Sequence, residues 1–460
     1  MQKLKQNKWI LILLFIFAIL LILATPIERS LNGNLLTPGE ETYHHLNNIE
    51  GGTTNFYELI ISNLLNFIPL TILIIVLPLI LMLLSLTLFY SIIIDYVKSE
   101  LELYFAMGIF ILTPVFLTIH IGLILYSLLL CLTLMIVHFY KLKSKLFLLF
   151  LLLIYFLSPF IGLILILFLL LDAGAKKTKL NLFILLGFIG LIVVLGFFIP
   201  NIYLQFSSLQ FLFKPNQLFN FLGGKYGFVL FSFVLGLLGL YSDKDAILNL
   251  GQRLMMTIIL FVSFFYEPLR VLLIPFLSFF AANYLTKLIN KKWAVFYLKE
   301  VTIILFICML LFSTISEIQG ANAENPTLNQ KEAYSFLYLV KDQNPEVSSA
   351  KLLTNPAYGE QATYFSKIEA YSFLDDAQSI LFTKHLMKSR DYAFIKERLQ
   401  QEKIAFIYVD DLMLNGNILD KQDQGILFVM DNNDNFKLIY SKNKEKIYYF
   451  TLWNYSDTLS

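Results

Sequence analysis

The residues best suited to chemistry lie in one short segment, 37–46, which reads Thr-Pro-Gly-Glu-Glu-Thr-Tyr-His-His-Leu. Two of the five histidines and two adjacent carboxylates, Glu40 and Glu41, fall here within six residues. A carboxylate at a membrane surface can act as a general base, or it can bind a divalent cation that neutralises phosphate. Glu41 and His45 are four residues apart, so a helix that starts at Glu40 places them on one face. The alternative is that this segment is only a solvated acidic loop.

Long apolar segments surround this loop and identify the chain as an integral membrane protein. Of its 460 residues 57% are hydrophobic and only 15% are charged, whereas a soluble domain is about a quarter charged. The net charge of +2 gives no indication of nucleic-acid binding. Because a span needs about 20 apolar residues, we predict membrane segments at 9–25, 63–94, 103–119, 121–140, 146–171, 180–200, 226–241, 254–266, 268–286 and 297–316.

The placement of lysines predicts how these segments are oriented. Lysine is enriched in cytoplasmic loops, which puts the N-terminus and the lysine clusters between later segments in the cytoplasm. This assignment requires 146–171, interrupted by Ser158-Pro159, to be a hairpin of two short helices, and it gives about 11 membrane segments. A single tilted span there would move the C-terminal domain into the cytoplasm. We favour the hairpin, and with it a multi-pass plasma-membrane protein whose C-terminal domain is extracytoplasmic.

A change in charge distribution near residue 316 marks the main domain boundary. Residues 1–316 form the predicted multi-span membrane domain, in which 26–62 is the first external loop and the catalytic one. Residues 317–460, where charge is evenly spread, form a soluble extracytoplasmic domain of mixed α/β type. For this domain the pattern predicts helices at 333–341, 375–389, 392–401 and 425–430, and strands at 351–354, 404–409, 436–440 and 447–451. The fold class is therefore an α-helical polytopic membrane protein with a C-terminal α/β domain.

The segment 39–46 resembles the first external loop of GT-C membrane glycosyltransferases, and most of all that of archaeal and bacterial oligosaccharyltransferase catalytic subunits. Their loop carries Gly-x-Asp-x-Tyr-Tyr-His-Leu just after the first span. In this sequence Glu41 stands at the acidic position, Tyr43-His44 at the aromatic pair, and His45-Leu46 at the end of the motif. The resemblance implies a GT-C-like enzyme that transfers a sugar or glycan from a polyprenyl (dolichyl)-phosphate-linked donor. The acceptor is unknown, and transfer takes place at the external face of the lipid bilayer.

The same resemblance assigns roles to individual residues. The catalytic residues it implies are Glu41, Glu40 and His45. The substrate-binding residues it implies are Arg270, Tyr43, His44, Tyr358 and Glu267. A divalent cation, Mg or Mn, would be held by Glu41 and His120.

Two of these assignments have a simpler alternative. GT-C enzymes bind the carrier phosphate with an arginine in a late external loop, and guanidinium suits phosphate geometry, which favours Arg270 for that role. Arg270 would otherwise be an interfacial arginine that anchors a helix end or pairs with Glu267. His120 would otherwise be an interfacial residue at the end of a helix.

The sequence departs from the oligosaccharyltransferase pattern in two places. The segment 353–359 stands where those enzymes carry Trp-Trp-Asp-Tyr-Gly, and only Tyr358 and Gly359 match. The acidic pair after the third span is replaced by Thr118-Ile119-His120. We therefore predict that an Asn-x-Ser/Thr peptide is not the acceptor. The alternative function is a non-catalytic GT-C relative or a subunit of a lipid-glycan flippase or transporter, although the near absence of charge within the spans argues against polar transport.

Overall fold

A computed structural model of the protein describes most of the chain. The described residues are 8–37, 39–52, 55–175, 185, 229–242, 250–263, 266, 268–291, 293, 296–323, 326–373, 377–410, 413 and 425–454. Three features of the sequence prediction lie outside them, namely the segment 180–200, the external loop 201–225 and Glu267.

The chain divides into two compact units, and the division differs from the predicted one. The first unit consists of Met1–Ile27 and Asn55–Ala323, and the second of Glu28–Thr54 and Glu324–Ser460. The boundary after the last long helix thus lies seven residues beyond the predicted 316. More importantly, most of the first external loop, which we had placed in the membrane domain, belongs to the same unit as the C-terminal domain. The loop is separated from that domain by more than 250 residues of sequence, which is why composition alone missed it.

Up to Ala323, the described residues form helices joined by short non-helical connections. The helices are α1 Lys8–Leu31, α2 Glu41–Gly51, α3 Phe56–Leu65, α4 Leu70–Ile93, α5 Glu100–Leu112, α6 Pro114–Ile119, α7 Leu125–Lys141, α8 Leu146–Leu157, α9 Pro159–Ala175, α10 Leu230–Ser242, α11 Leu250–Val262, α12 Pro268–Asn290 and α13 Phe296–Ala323. Among the described helices, four are long and apolar enough to cross a membrane: α1, α4, α12 and most of α13. This confirms a membrane protein with several apolar helices.

Proline and capping residues set where the membrane helices begin and end. The predicted segment 103–119 is two helices, because Pro114 has no N–H to continue the hydrogen-bond ladder of α5. The predicted break at Ser158-Pro159 is confirmed, with α8 ending before it and α9 starting at Pro159. The predicted segment 63–94 shortens to α4, since α3 is a separate helix whose first turn is fixed by a capping box between Asn55 and Glu58.

Small residues let α10 lie directly against α12. An added Cβ at Gly239 would come within 2.1 Å of the carbonyl oxygen of Phe280, and one at Gly236 within 2.8 Å of Leu277. Glycines of this kind are typical of close helix packing in membranes, where backbones approach without side chains between them. The contact fixes the position of α12, the helix that carries Arg270 near its first turn.

The second unit is a small mixed α/β fold, as the sequence predicted. Its elements after 323 are α14 Leu328–Gln343, β1 Lys351–Leu353, α15 Gly359–Ser366, α16 Ala377–Lys388, α17 Tyr392–Gln401, β2 Ile404–Val409, α18 Ile426–Asp431, β3 Phe436–Lys442 and β4 Glu445–Phe450. The strands form one sheet in the order β1-β2-β4-β3, with β1 and β2 parallel and the other pairs antiparallel. All six residues of β2 are buried, which makes it the centre of the core.

Candidate functional site

The segment 37–46, which we predicted to carry the chemistry, contains the start of helix α2. Glu40 is the residue that precedes the helix, and Glu41 is its first residue. The helix ends at Gly51, and the next residue, Gly52, takes the left-handed conformation. Glu41 and His45 are therefore one helical turn apart on the same face, as the spacing predicted. His45 is buried and Glu41 is half-buried.

The opposite face of α2 packs against α15 of the same unit. The ring of Tyr43 is only 4% exposed and lies 5.6 Å from the ring of Tyr364 and 5.3 Å from that of Phe365. Burial raises the pKa of Tyr43 to about 12, so its hydroxyl stays neutral at physiological pH. This placement gives Tyr43 a structural role, and a substrate contact by Tyr43 forms no part of our proposal.

A carboxylate that the sequence analysis did not single out holds α2 in place. Glu360, at the start of α15, accepts hydrogen bonds from His44 Nδ1 at 2.7 Å and from Asn47 Nδ2 at 2.7 Å. Further along the helix, Glu50 pairs with Lys367 at the end of α15. His44 is thus bound to a carboxylate of its own unit, while 48% of its side chain stays exposed. The only sequence signal for Glu360 was its place directly after the matched Tyr358-Gly359.

These contacts determine which residues of α2 pack against α15. At about 100° per residue, Tyr43, Asn47 and Glu50 lie within roughly 60° of one another around the helix. Glu41 and His45 lie roughly 120–180° from these residues around the helix. The helix is therefore oriented so that its packing residues and its candidate catalytic residues occupy separate faces.

The chain leading into α2 is fixed by a buried arginine. Arg29 is fully buried, and its Nε donates to the carbonyl oxygen of Leu35 at 2.6 Å while Nη2 donates to that of Pro326 at 3.1 Å. A bridge between Asn34 and Thr327 continues this contact. Arg29 thus joins the first loop to the chain entering α14, a role that composition alone did not indicate.

The second matched motif has a structural explanation. Tyr358 ends a short 3₁₀ helix, Pro356–Tyr358, and is buried in the core of the second unit. An added Cβ at Gly359 would come within 2.4 Å of the carbonyl oxygen of Ser372, so this position requires glycine. Tyr358 and Gly359 thus set the start of α15 and, through it, the position of Glu360. The predicted substrate contact of Tyr358 is not part of our proposal.

In the first unit, Arg270 lies in the first turn of α12 and is 1% exposed. Its Nε donates to the carbonyl oxygen of Ser263, just beyond the end of α11, at 3.1 Å. A buried guanidinium at a helix N-terminus adds to the positive end of the helix dipole, and both favour an anion there. Its predicted pairing with Glu267 lies outside the described residues.

His120, at the C-terminal end of α6, has some of the features of a metal ligand. It is 1% exposed, and its Nδ1 donates to the carbonyl oxygen of Phe116 at 2.7 Å, which leaves Nε2 as the acceptor nitrogen. In the described part of the chain this Nε2 is buried with no hydrogen-bond partner. The hydroxyl of Thr118, two residues before His120, donates to the carboxylate of Glu317.

The described residues do not fit a complete metal site. Among them no three His, Cys, Asp or Glu side chains lie together in a group that would hold an ion. His120 offers a suitable nitrogen, but the predicted partner Glu41 belongs to the other unit. We therefore derive no catalytic step through a metal.

Loss of the Glu360 carboxylate is expected to loosen α2 without unfolding its unit. Glu360→Ala removes the acceptor of both His44 and Asn47, and for partly exposed groups this costs about 1–2 kcal/mol. Hydrogen exchange of the α2 amides should speed up roughly tenfold, while exchange in β2 stays unchanged. Glu346→Ala, at an exposed position of the same unit, is the matched control. Equal protection of α2 in the two variants would contradict the role of Glu360.

Comparison with solved structures shows which fold this arrangement belongs to. The chain is similar to the archaeal oligosaccharyltransferase AglB from Archaeoglobus fulgidus in complex with an inhibitory peptide and a dolichol-phosphate, with a TM-score of 0.57 and 11% identity over 98% of this chain and 75% of that one. The same archaeal enzyme was also solved in complex with Zn and sulfate. ArnT from Cupriavidus metallidurans bound to undecaprenyl phosphate is similar with a TM-score of 0.52 and 10% identity, over 96% of this chain and 98% of that one.

A third similar structure is the arabinofuranosyltransferase AftD from Mycobacteria, with a TM-score of 0.54 and 13% identity over 97% of this chain and 40% of that one. All three are GT-C glycosyltransferases, so this protein has the GT-C fold that its first loop predicted. No protein-family model matches the sequence, and no curated protein matches it. At identities near 10% the likeness establishes the fold, and the function has to be argued from the site.

Proposed function

We propose that the protein is a membrane glycosyltransferase that transfers a sugar or glycan from a polyprenyl-phosphate-linked donor to an acceptor at the external membrane face. The observation that carries this proposal is the placement of Glu41. It lies on a helix that follows the first apolar helix of a GT-C fold, on the face opposite the packing residues Tyr43 and Asn47. His45, the second candidate catalytic residue, lies beside it on that face.

The proposed reaction exchanges one bond of the anomeric carbon for another and moves one proton. The bond between the anomeric carbon of the sugar and the phosphate oxygen of the carrier breaks, and the anomeric carbon bonds to the acceptor oxygen or nitrogen. Glu41 takes the proton that the acceptor loses. The polyprenyl phosphate leaves with the bonding electrons, and the fixed cation of Arg270 stabilises the negative charge that develops on it. Glu40 sits one residue before Glu41 and is the alternative base.

The carrier lipid is supported by the chemistry of the neighbours and of Arg270. AglB was solved with a dolichol-phosphate and ArnT with undecaprenyl phosphate. A buried guanidinium at the start of α12 suits the same phosphate group. AglB was also solved with Zn and sulfate, and a requirement for a divalent cation, Mg or Mn, stays a prediction that the turnover assay tests.

The direct test is to incubate the purified full-length protein with polyprenyl-phosphate sugars and to follow sugar release or transfer by mass spectrometry. We expect release of sugar from at least one such donor, and no transfer to an Asn-x-Ser/Thr peptide because Asn355, Pro356 and Ala357 replace the Trp-Trp-Asp residues. Binding of the donors with no release from any of them would instead support a non-catalytic GT-C relative. Transfer to the peptide would contradict the acceptor prediction alone.

The proposed site also requires a membrane topology, with about 11 segments, a cytoplasmic N-terminus and an extracytoplasmic C-terminal domain. In a Cys308→Ser background, a cysteine at exposed Ser348 should react with a membrane-impermeant thiol reagent in intact cells. A cysteine at exposed Lys145, in the basic cluster after α7, should react only after the cells are opened. The reverse pattern would place Glu41 on the cytoplasmic side and contradict the proposed reaction site.

A further inference from the structure

Two cavities of the first unit lie along one stripe of α12, at the end of the helix opposite Arg270. The residues of the stripe recur every three or four positions: Phe276, Phe280, Asn283, Lys287 and Asn290. The first two line one cavity and the last three line the other. Along this stripe an apolar surface therefore changes into a polar, basic one within about two helical turns.

The first cavity is mostly apolar and has a volume of about 390 Å³, which lies in the usual range for ligand pockets. Its wall is formed largely by apolar residues such as Phe89, Val137, Phe276 and Phe280, and its polar side holds Lys141, Lys143 and Asp172. Tyr96 also lines this cavity, and its ring lies 6.5 Å from that of Phe279. A cavity with such walls suits a hydrocarbon chain.

The second cavity, of about 580 Å³, is lined by polar and charged residues. They are Lys98, Ser99, Glu102, Asn283, Thr286, Lys287, Asn290 and Lys291. The three lysines are exposed, and the single carboxylate, Glu102, is buried. Three positive charges against one negative charge leave the lining at +2, which favours an anion.

The floor of this second cavity contains a polar atom that lacks a partner. Asn283 is 2% exposed, and its Nδ2 donates to Glu102 Oε1 at 2.8 Å. The other oxygen of Glu102 accepts from the backbone N–H of Lys98 at 2.9 Å, so the carboxylate is fixed on both sides. Within the described part of the chain, Oδ1 of Asn283 is buried with no hydrogen-bond partner. Because a buried acceptor without a partner is unfavourable, a ligand group that donates a hydrogen bond here would be bound favourably.

We propose that the two cavities form one binding site for a phosphate-bearing lipid of the surrounding bilayer. The hydrocarbon chain occupies the apolar cavity and passes Tyr96 and Phe279. The phosphate lies among Lys98, Lys287 and Lys291, and a hydroxyl of the head group donates to Asn283 Oδ1. A glycerophospholipid with a hydroxylated head, such as phosphatidylglycerol, has all three features.

This site is separate from the one proposed for the sugar donor. Seventeen residues of α12 separate Arg270 from Lys287, which corresponds to about 25 Å along the helix axis. That distance is close to the thickness of the hydrocarbon core, about 30 Å, so the two phosphates would lie near opposite faces of the bilayer. The inference therefore does not depend on the proposed glycosyl transfer.

Native mass spectrometry of the full-length protein in detergent, titrated with phosphatidylglycerol, tests this inference. We expect the double variant Lys287→Gln and Lys291→Gln to raise the dissociation constant roughly 30-fold, since each lysine near a lipid phosphate contributes about 1 kcal/mol. Lys145→Gln with Lys299→Gln removes two charges from positions that line neither cavity, and it should bind the lipid like the wild type. Equal weakening in the two double variants would show only general attraction to basic charge and would overturn the proposal.

Two further ligands and one further variant test whether the site binds the whole lipid or only its phosphate or its hydrocarbon chains. A diacylglycerol with the same chains and inorganic phosphate should each bind at least tenfold more weakly than phosphatidylglycerol. If inorganic phosphate binds as tightly as the lipid, the site is one for free phosphate and the lipid assignment is wrong.

Val137→Trp, which fills the apolar cavity, should weaken phosphatidylglycerol binding and leave thermal unfolding unchanged. Wild-type lipid affinity in this variant would show that the chain does not enter the cavity.

Discussion

Replacement of Glu41 by glutamine is expected to lower the rate of glycosyl transfer about 10²–10⁴-fold, the usual effect of removing one general base. Glutamine keeps the size and hydrogen-bonding capacity of glutamate, but it can neither accept the proton of the acceptor nor neutralise a cation. The measurement is the turnover number with a saturating polyprenyl-phosphate sugar, with and without added Mg or Mn. Donor affinity and thermal unfolding should remain close to those of the wild type.

The size of this effect distinguishes catalysis from a structural role of the same residue. Glu41 is the first residue of α2, where a carboxylate stabilises a helix through its dipole by about 0.3–1 kcal/mol. A loss of that size changes the folded population little in a protein stable by 5–15 kcal/mol. A fall in turnover of 100-fold or more in protein that remains folded therefore cannot come from the helix dipole.

Two control variants test the alignment of the motif and the effect of removing a carboxylate elsewhere in the same unit. Glu346→Gln removes a carboxylate from an exposed position of the same unit and should leave turnover unchanged. Glu40→Gln tests the neighbouring position, which lies about 100° away around the helix. If Glu40→Gln loses activity and Glu41→Gln retains it, the motif has been aligned one residue off. If both retain wild-type turnover, this helix does not supply the base.

The second large effect is expected for Arg270→Ala, which should weaken donor binding and lower turnover together. A cation that holds phosphate in the ground state and in the transition state contributes to both quantities. Removal of one partner of a buried charged contact typically costs about 2–5 kcal/mol, so kcat/KM should fall roughly 30- to 4,000-fold. Arg270→Lys keeps the positive charge but not the bidentate geometry. Its kcat/KM should therefore lie between those of the wild type and of Arg270→Ala. The donor dissociation constant and the steady-state parameters are measured for each variant.

A structural role of Arg270 would give a different result. Arg270 is buried and donates to the backbone at the end of α11, so its loss also removes packing between two helices. Were this its only function, Arg270→Ala would lower the melting temperature, and the folded fraction would keep wild-type kinetics. Arg253→Ala, near the start of α11, is the matched control and should not change donor affinity.

Local physical rules were enough to predict much of the fold from the sequence. The strand Ile404–Val409 and the helix Tyr392–Gln401 have the predicted bounds, because a run of six apolar residues and an Asp391 cap are local signals. The break at Pro159 follows from the missing N–H of proline. The turn that places Glu41 and His45 on one face likewise depends only on helical periodicity.

The extent of the membrane helices was predicted less well, for a reason that is also local. Apolar composition does not distinguish one long span from two helices in sequence, so 63–94 and 103–119 were each taken as one segment. The breaks within them occur at prolines, Pro69 directly before α4 and Pro114 at the start of α6. The likeness to GT-C enzymes was also accessible from the sequence, since it rests on contiguous residues after the first span.

Contacts between distant parts of the chain were decided by the tertiary structure alone. His44 and Glu360 are 316 residues apart, and Asn283 and Glu102 are 181 apart, so no periodicity or composition relates them. Closing such long loops costs entropy that only the assembled core offsets, and its shape is a property of the whole chain. The sequence thus determined which side chains are available for chemistry. Tertiary packing decided that Tyr43 and Asn47 hold α2 against α15 while Glu41 and His45 lie on its other side.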